Sequence, residues 1–243
     1  EIAALTTHPD AEGKRHISLS TIEDAIQQKA PRYDKAGDQH YDIISALHKS
    51  MRGSDPDASL YWLARMLEAG EDPLYIARRL VRFASEDVGM ADPQALVVAI
   101  AAQQAVHFIG LPEGNLALAE AVVYLATAPK SNSLYRAYSQ VQEEIKQNPD
   151  EPVPLHLRNP VTPLMKEMGY GKDYKYPHDY PGHFVPQQYL PDALKGKFYY
   201  TPSNQGYERE VAHRLQSWWH RISLSIDAIR PPTGLKKRGK KTP

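Results

Sequence analysis

The sequence predicts an all-α protein: a compact array of antiparallel helices, followed by a proline- and tyrosine-rich irregular segment. Three observations predict it. Asp-Pro pairs stand at 55–56, 72–73 and 92–93. Asp accepts from the free amides of a helix start, and Pro has its φ already set for the first helical position. Glycines precede these starts and the Leu111-Pro112 pair, at 53, 70, 89 and 110, where a left-handed residue ends the preceding helix. Ten of the 20 prolines lie between 149 and 202, and eight of the 15 tyrosines between 170 and 207. Proline this dense forbids long helices, and aromatics this dense require a surface to pack on.

The elements follow in order. Ser20 with Glu23 forms a capping box for a helix over 21–29, whose Ile22, Ala25 and Ile26 share a face. Helices are predicted over 40–52, 56–69, 73–88, 93–109, 112–128 and 133–147. Leu60, Leu63, Ala64 and Leu67 make one stripe; Ile76, Leu80 and Phe83 make another, with Ala77, Val81 and Ala84 beside it. The runs "ALVVAIAA" (95–102) and "LALAEAVVYLA" (116–126) are apolar nearly all round, so both helices are expected at the centre. Their β-branched content also suits buried strands; caps and length favour helices. Connections of a few residues make the helices antiparallel neighbours. After Asn148 a short helix over 161–168 precedes Gly169, and the rest reads as an extended wrap with a small strand pair. A last helix, 205–224, carries Val211, Leu215, Trp218 and Trp219, and the tail after Pro231 reads as disordered.

Bulk chemistry narrows the function classes. At 42% hydrophobic and 24% charged residues the chain is of globular type. Lys+Arg and Asp+Glu balance at 29 each, so no net field predicts nucleic acid or membrane as a partner. The ending is uneven, with Lys236, Lys237, Arg238, Lys240 and Lys241 and no acid after Asp227. With no cysteine there is no disulfide, thiolate metal site or thiol catalysis. No apolar run reaches the ~20 residues of a membrane span. The opening has no initiator Met and no apolar signal core, and it reads as the start of a fragment.

Candidate chemistry is sparse. Lys follows Gly at 13–14, 171–172, 196–197 and 239–240, and none continues with the Ser or Thr of a phosphate loop. Dinucleotide, nucleophile-elbow and zinc-helix patterns are also missing. The segment "YKYPHDYPGHFVPQQYLP", from Tyr174 to Pro191, collects His178, Asp179 and His183. These side chains can ligand a metal, which makes a metal-dependent helical hydrolase the alternative reading. The competing reading has them hydrogen-bond the backbone of a segment with no ladder of its own. His107, on a predicted core helix, reads as a half-buried packing residue. Lys49, Arg52 and Ser54 stand beside a helix start and can hold an anion, or simply form a solvated rim. Arg78, Arg79 and Arg82 share one helix side and, with the basic tail, are the candidate nucleic-acid contacts. Lys130, Asn132 and Arg136 are expected exposed on the loop between two helices.

Longer stretches carry a resemblance. "DKAGDQHYDIISALHKSMRGSDPDASLYWLARMLEAGEDPLYIARRLVRFASEDVGMADP", "LATAPKSN" and "VPLHLRNPVTPLMKEMGYGKDYKYPHDYPG" resemble the C-terminal half of the RarA/MgsA replication-associated AAA+ ATPases, relatives of Werner-helicase-interacting protein. The resemblance covers about residues 15–220. It implies a domain order: the end of an AAA+ lid over 1–30, a helical oligomerisation domain related to the clamp-loader collar over 31–148, a wrap and final helix over 149–230, and a basic tail over 231–243. It implies a parent that binds ATP and Mg and acts at replication forks in the cytoplasm, at the nucleoid, with fork DNA and single-strand-binding protein as associates. It implies a homotetramer, no membrane and no cofactor in this chain. The family's nucleotide-binding positions have no counterparts in these residues, so no catalytic residue carries over and this chain is not expected to hydrolyse ATP.

Overall fold

The computed structural model describes residues 14–16 and 38–219. The predicted 21–29 helix and the basic tail lie outside the described residues. The described chain is helical, with no strand among its residues. The helices are α1 (Asp38–Arg52), α2 (Pro56–Glu68), α3 (Pro73–Phe83), α4 (Gln94–Ile109), α5 (Asn115–Thr127), α6 (Ser133–Gln147), α7 (Pro163–Glu167) and α8 (Glu208–Trp219). The chain divides into two units, one ending at Asn132 and the other beginning at Ser133.

In the first unit the caps act as the Asp-Pro pairs require. Asp55 accepts from Ala58 N and Asp72 from Leu74 N, each at 2.9 Å, while Asp92 accepts from Gln94 N at 3.0 Å. Each bond satisfies one of the amides a helix start leaves open. The core is the meeting of the apolar stripes. Leu47, Met51, Met66, Ile76, Leu80, Phe83, Leu118 and Leu125 are fully buried, each such side chain contributing roughly 1.5–3 kcal/mol by leaving water. Helix α5 packs against α1, α2, α3 and α4, and is the centre of this unit.

Two expectations are corrected here. The helix predicted over 73–88 is α-helical only to Phe83 and then widens into a π turn, Ala84–Val88, followed by a 3-10 turn, Gly89–Ala91. Gly89 takes a positive φ of 53°, which its missing Cβ permits. The second correction concerns α4, which is not covered on several sides. It turns Ala95, Ala99, Ala102 and Val106 inward and leaves its larger residues outside. Helix α4 rests on α3, α5 and the π turn through its small residues, whereas α5 packs against four helices.

The second unit is α6, a strap of short turns and α8. The predicted strand pair does not form among the described residues. Gln187 does the work of a ladder instead: its amide oxygen accepts from Lys175 N at 3.2 Å and its amide nitrogen donates to Lys175 O at 2.8 Å. Prolines at 177, 181, 186 and 191 remove the backbone donors a strand needs. Two carboxylates tie the strap to its helices. Glu208, fully buried, accepts from Ser133 Oγ, from the Tyr200 hydroxyl at 2.8 Å and from Ser203 N at 2.7 Å. Burial and the bond to Glu208 push the Tyr200 hydroxyl well above its ordinary range. Glu144 on α6 accepts from Lys197 Nζ at 2.6 Å and from the Tyr199 hydroxyl at 3.3 Å. The Lys197 ammonium holds the Glu144 carboxyl below the usual range.

Candidate assembly surface

Helix α4 inverts the usual division of a surface helix. Its buried positions, 95, 99, 102 and 106, are three alanines and a valine. Its outermost line is Val97, Ala101, Gln104 and Phe108, spaced i, i+4, i+7, i+11 along the helix. Val97 is 60% exposed and Phe108 92% exposed. Leu96, Ile100 and Ile109 on α4, Leu111 in the turn after it and Leu116 at the start of α5 are further exposed apolar side chains. From Gln94 through Pro112 there is no Asp, Glu, Lys or Arg. A largely apolar, uncharged surface of this kind, broken by Gln104 and His107, is the type that marks interaction sites.

The surface is rigidly backed. Asp92 caps α4 with one carboxylate oxygen and receives the Tyr124 hydroxyl of α5 on the other at 2.7 Å. That bond, with burial, pushes the Tyr124 hydroxyl up to about 12. One turn earlier, Asp87 on the π turn gathers three loops. Arg52 at the end of α1 forks onto its carboxylate, Nε at 2.5 Å and Nη2 at 3.0 Å. Ser131 N donates to its carbonyl at 2.8 Å. Lys130 donates to the last carbonyls of α5, Ala126 O at 2.8 Å and Ala128 O at 2.5 Å, and approaches Ser54 Oγ at 3.4 Å. Desolvation lowers the Lys130 pKa. Behind this knot His48 is buried edge-on to Phe83, their centroids 5.6 Å apart. Burial, then the charge of Arg79, pulls its imidazole down to about 4, so it stays neutral through the ordinary pH range.

The residues singled out from sequence fall in different places. Of Lys49, Arg52 and Ser54, Ser54 is approached by Lys130 of the "APKSN" loop, Arg52 is spent on Asp87 and Lys49 is exposed; Lys130 also bonds the end of α5 and is half-buried rather than exposed. Asn132 and Arg136 are exposed as expected. The α5-facing helix α3 carries the arginine stripe: Arg82 pairs with Glu86 at 2.5 Å, Arg78 lies 5.5 Å from the Tyr75 ring centroid, and Arg79 keeps a buried Nε with no hydrogen-bond partner. His107 is exposed on α4, not half-buried, because the helix rests on its alanine side. His178 and Asp179 sit on one 3-10 turn and His183 ends the next, all three exposed. Their rings meet one another and a tyrosine, His178 to His183 at 4.9 Å and Tyr176 to His178 at 5.1 Å between centroids. The strap's backbone is held by other side chains: Gln187, His156 Nε2 on Gln188 O at 2.7 Å, and Arg158 Nε on Val153 O at 2.7 Å. Among the described residues no three His, Asp or Glu side chains stand together as metal ligands. Lys236, Lys237, Arg238, Lys240 and Lys241 lie outside the described residues.

Asp87, His48 and Glu208 went unremarked in the sequence. None sits at a spacing that marks chemistry; each acquires its role from partners more than 30 residues away or from burial.

The capped helical unit and the strap make an all-α protein with no strand among its described residues. Residues 53–219 match the family described as MgsA AAA+ ATPase C terminal, and residues 1–52 match one described as AAA C-terminal domain. The chain belongs to the MgsA AAA+ ATPase C-terminal family. It is 48% identical to Replication-associated recombination protein A of Haemophilus influenzae over 208 residues, 85% of this chain and 47% of that protein. It is 47% identical to Replication-associated recombination protein A of Escherichia coli K12 over 216 residues, 88% of this chain and 48% of that protein. ATPase WRNIP1 of Dictyostelium discoideum is 51% identical over 176 residues, 72% of this chain and 20% of that protein. The chain thus spans about half the length of the bacterial relatives named here. Among the described residues no helix is long and apolar enough to cross a membrane.

Proposed function

We propose that this chain is the self-assembly and interaction module of a replication-associated recombination ATPase, and that it assembles as a homotetramer. The observation that carries the reading is the α4 face, large apolar side chains turned outward on a helix without a formal charge. Apolar area of this kind is stabilised only by a partner that removes it from water. Both matched domains are C-terminal associates of AAA+ proteins, and these 243 residues contain no phosphate-loop pattern. ATP and Mg binding, work at replication-fork DNA and association with single-strand-binding protein belong, on this reading, to the longer protein in the cytoplasm.

Light scattering across a concentration series tests it. The chain is expected to sediment and scatter as an oligomer at tens of micromolar. Val97→Glu with Phe108→Glu is expected to yield a monomer with unchanged helical circular dichroism, since both side chains are exposed in the single chain. A wild-type chain that stays monomeric at that concentration refutes the reading.

A further inference from the structure

We propose that the outward face of α4 is closed by the same face of a second copy, the two helices antiparallel about a two-fold axis between Ala101 and Gln104. The inference rests on the self-assembly reading and specifies its occupant and orientation.

The spacing of Val97, Ala101, Gln104 and Phe108 is that of alternating seam positions in a helix pair, which keeps one line of side chains facing a partner over three turns. The face supplies no formal charge between Gln94 and Pro112. A partner surface bearing charges buries them there without counter-charges, which is costly. The chain's own face brings none. Gln104 is the polar group of the seam and is exposed. An amide has donor and acceptor together, so two Gln104 side chains meeting across a two-fold axis satisfy each other.

The size pattern sets the direction. The middle of the line is small, Ala101, and its ends are large, Val97 with Leu96 and Phe108 with Ile109. Val97 and Phe108 are 11 positions apart, about 16 Å along the axis. Antiparallel pairing sets each Phe108 against Val97 and Leu96 of the other copy, at both ends, while Ala101 lets the backbones approach between them. Parallel pairing sets Phe108 on Phe108 and aligns the helix dipoles in the unfavourable sense.

The chain has no cysteine, so single cysteines report contacts cleanly. The full 243-residue chain is tested with Ala101→Cys, Val97→Cys and Phe108→Cys under mild oxidation. A disulfide needs Cα atoms within about 7 Å. Ala101→Cys is expected to lose most of its monomer band to a covalent dimer. Val97→Cys and Phe108→Cys are each expected to stay uncoupled, and to cross-link when refolded together. Light scattering of each variant under reducing conditions establishes that the assembly is intact. Self-coupling of both end variants shows parallel pairing and overturns the inference. An intact oligomer with no coupling at any of the three positions overturns it too, while leaving self-assembly standing. A wild-type monomer removes both.

Discussion

The partly buried Asp87 carboxylate and the buried His48 imidazole each join distant parts of the first unit. Asp87 receives the Arg52 fork and the Ser131 amide, joining the end of α1, the π turn and the loop after α5. Asp87→Ala is expected to cost about 1–2 kcal/mol, because Arg52 is half-exposed and its pairing is partly screened by solvent; urea unfolding measures it. His48 makes stability depend on pH. Its imidazole titrates at about 4 in the folded chain against 6.5 when unfolded, so the unfolded state takes up the proton first. The contribution is whole above 6.5 and is lost as pH falls from there through about 4, amounting to about 3 kcal/mol. As pH falls from 6.5 through about 4, the thermal midpoint of wild type is expected to drop relative to that of His48→Leu, which lacks the titrating group. A flat wild-type profile over this window contradicts the assignment. His178, Asp179 and His183 present a different case. The sequence offered two readings, ligands or backbone braces, and the structure gives the bracing to Gln187, His156 and Arg158. Chelator is expected to leave the thermal midpoint unchanged, with elemental analysis as the direct check.

Helices are where sequence reading succeeds, and their packing is where it falls short. Asp55, Asp72 and Asp92 act as caps as their Asp-Pro setting predicts, since a cap is a bond between residues two or three apart. Helix α6 runs over Ser133–Gln147, the predicted bounds. The π turn at Ala84–Val88 left no local trace, because it is bound up with Arg52 and Ser131, both far away in sequence. The strap shows the same limit. Proline density announced an irregular segment, but the fully buried Glu208 and its three donors come from α6, the strap and α8. Glu208→Ala leaves those donors unsatisfied, and a loss of roughly 1–3 kcal/mol is expected. Hydrogen exchange over residues 195–205 is expected to accelerate in that variant; unchanged protection rules out the carboxylate as the strap's anchor.

For the whole molecule the decisive feature is α4. The face proposed for assembly carries no formal charge between Gln94 and Pro112, so association through it is expected to persist or strengthen when salt rises from about 0.1 M to about 1 M. A steep loss of oligomer with salt, read by sedimentation, points instead to a charged interface. The sequence by itself determined the helical class, the caps and the change of character near Asn148, because caps, glycine stops and proline density act over a few residues. It also determined that residues 94–112 bear no formal charge. It did not determine that α5 is central while α4 lies at the side, although both read as apolar all round. Hydrophobicity registers how much surface asks to be buried, not which neighbour buries it. Only the tertiary structure decided that: α4 lies on the core through Ala95, Ala99, Ala102 and Val106, and Val97 and Phe108 are left facing out.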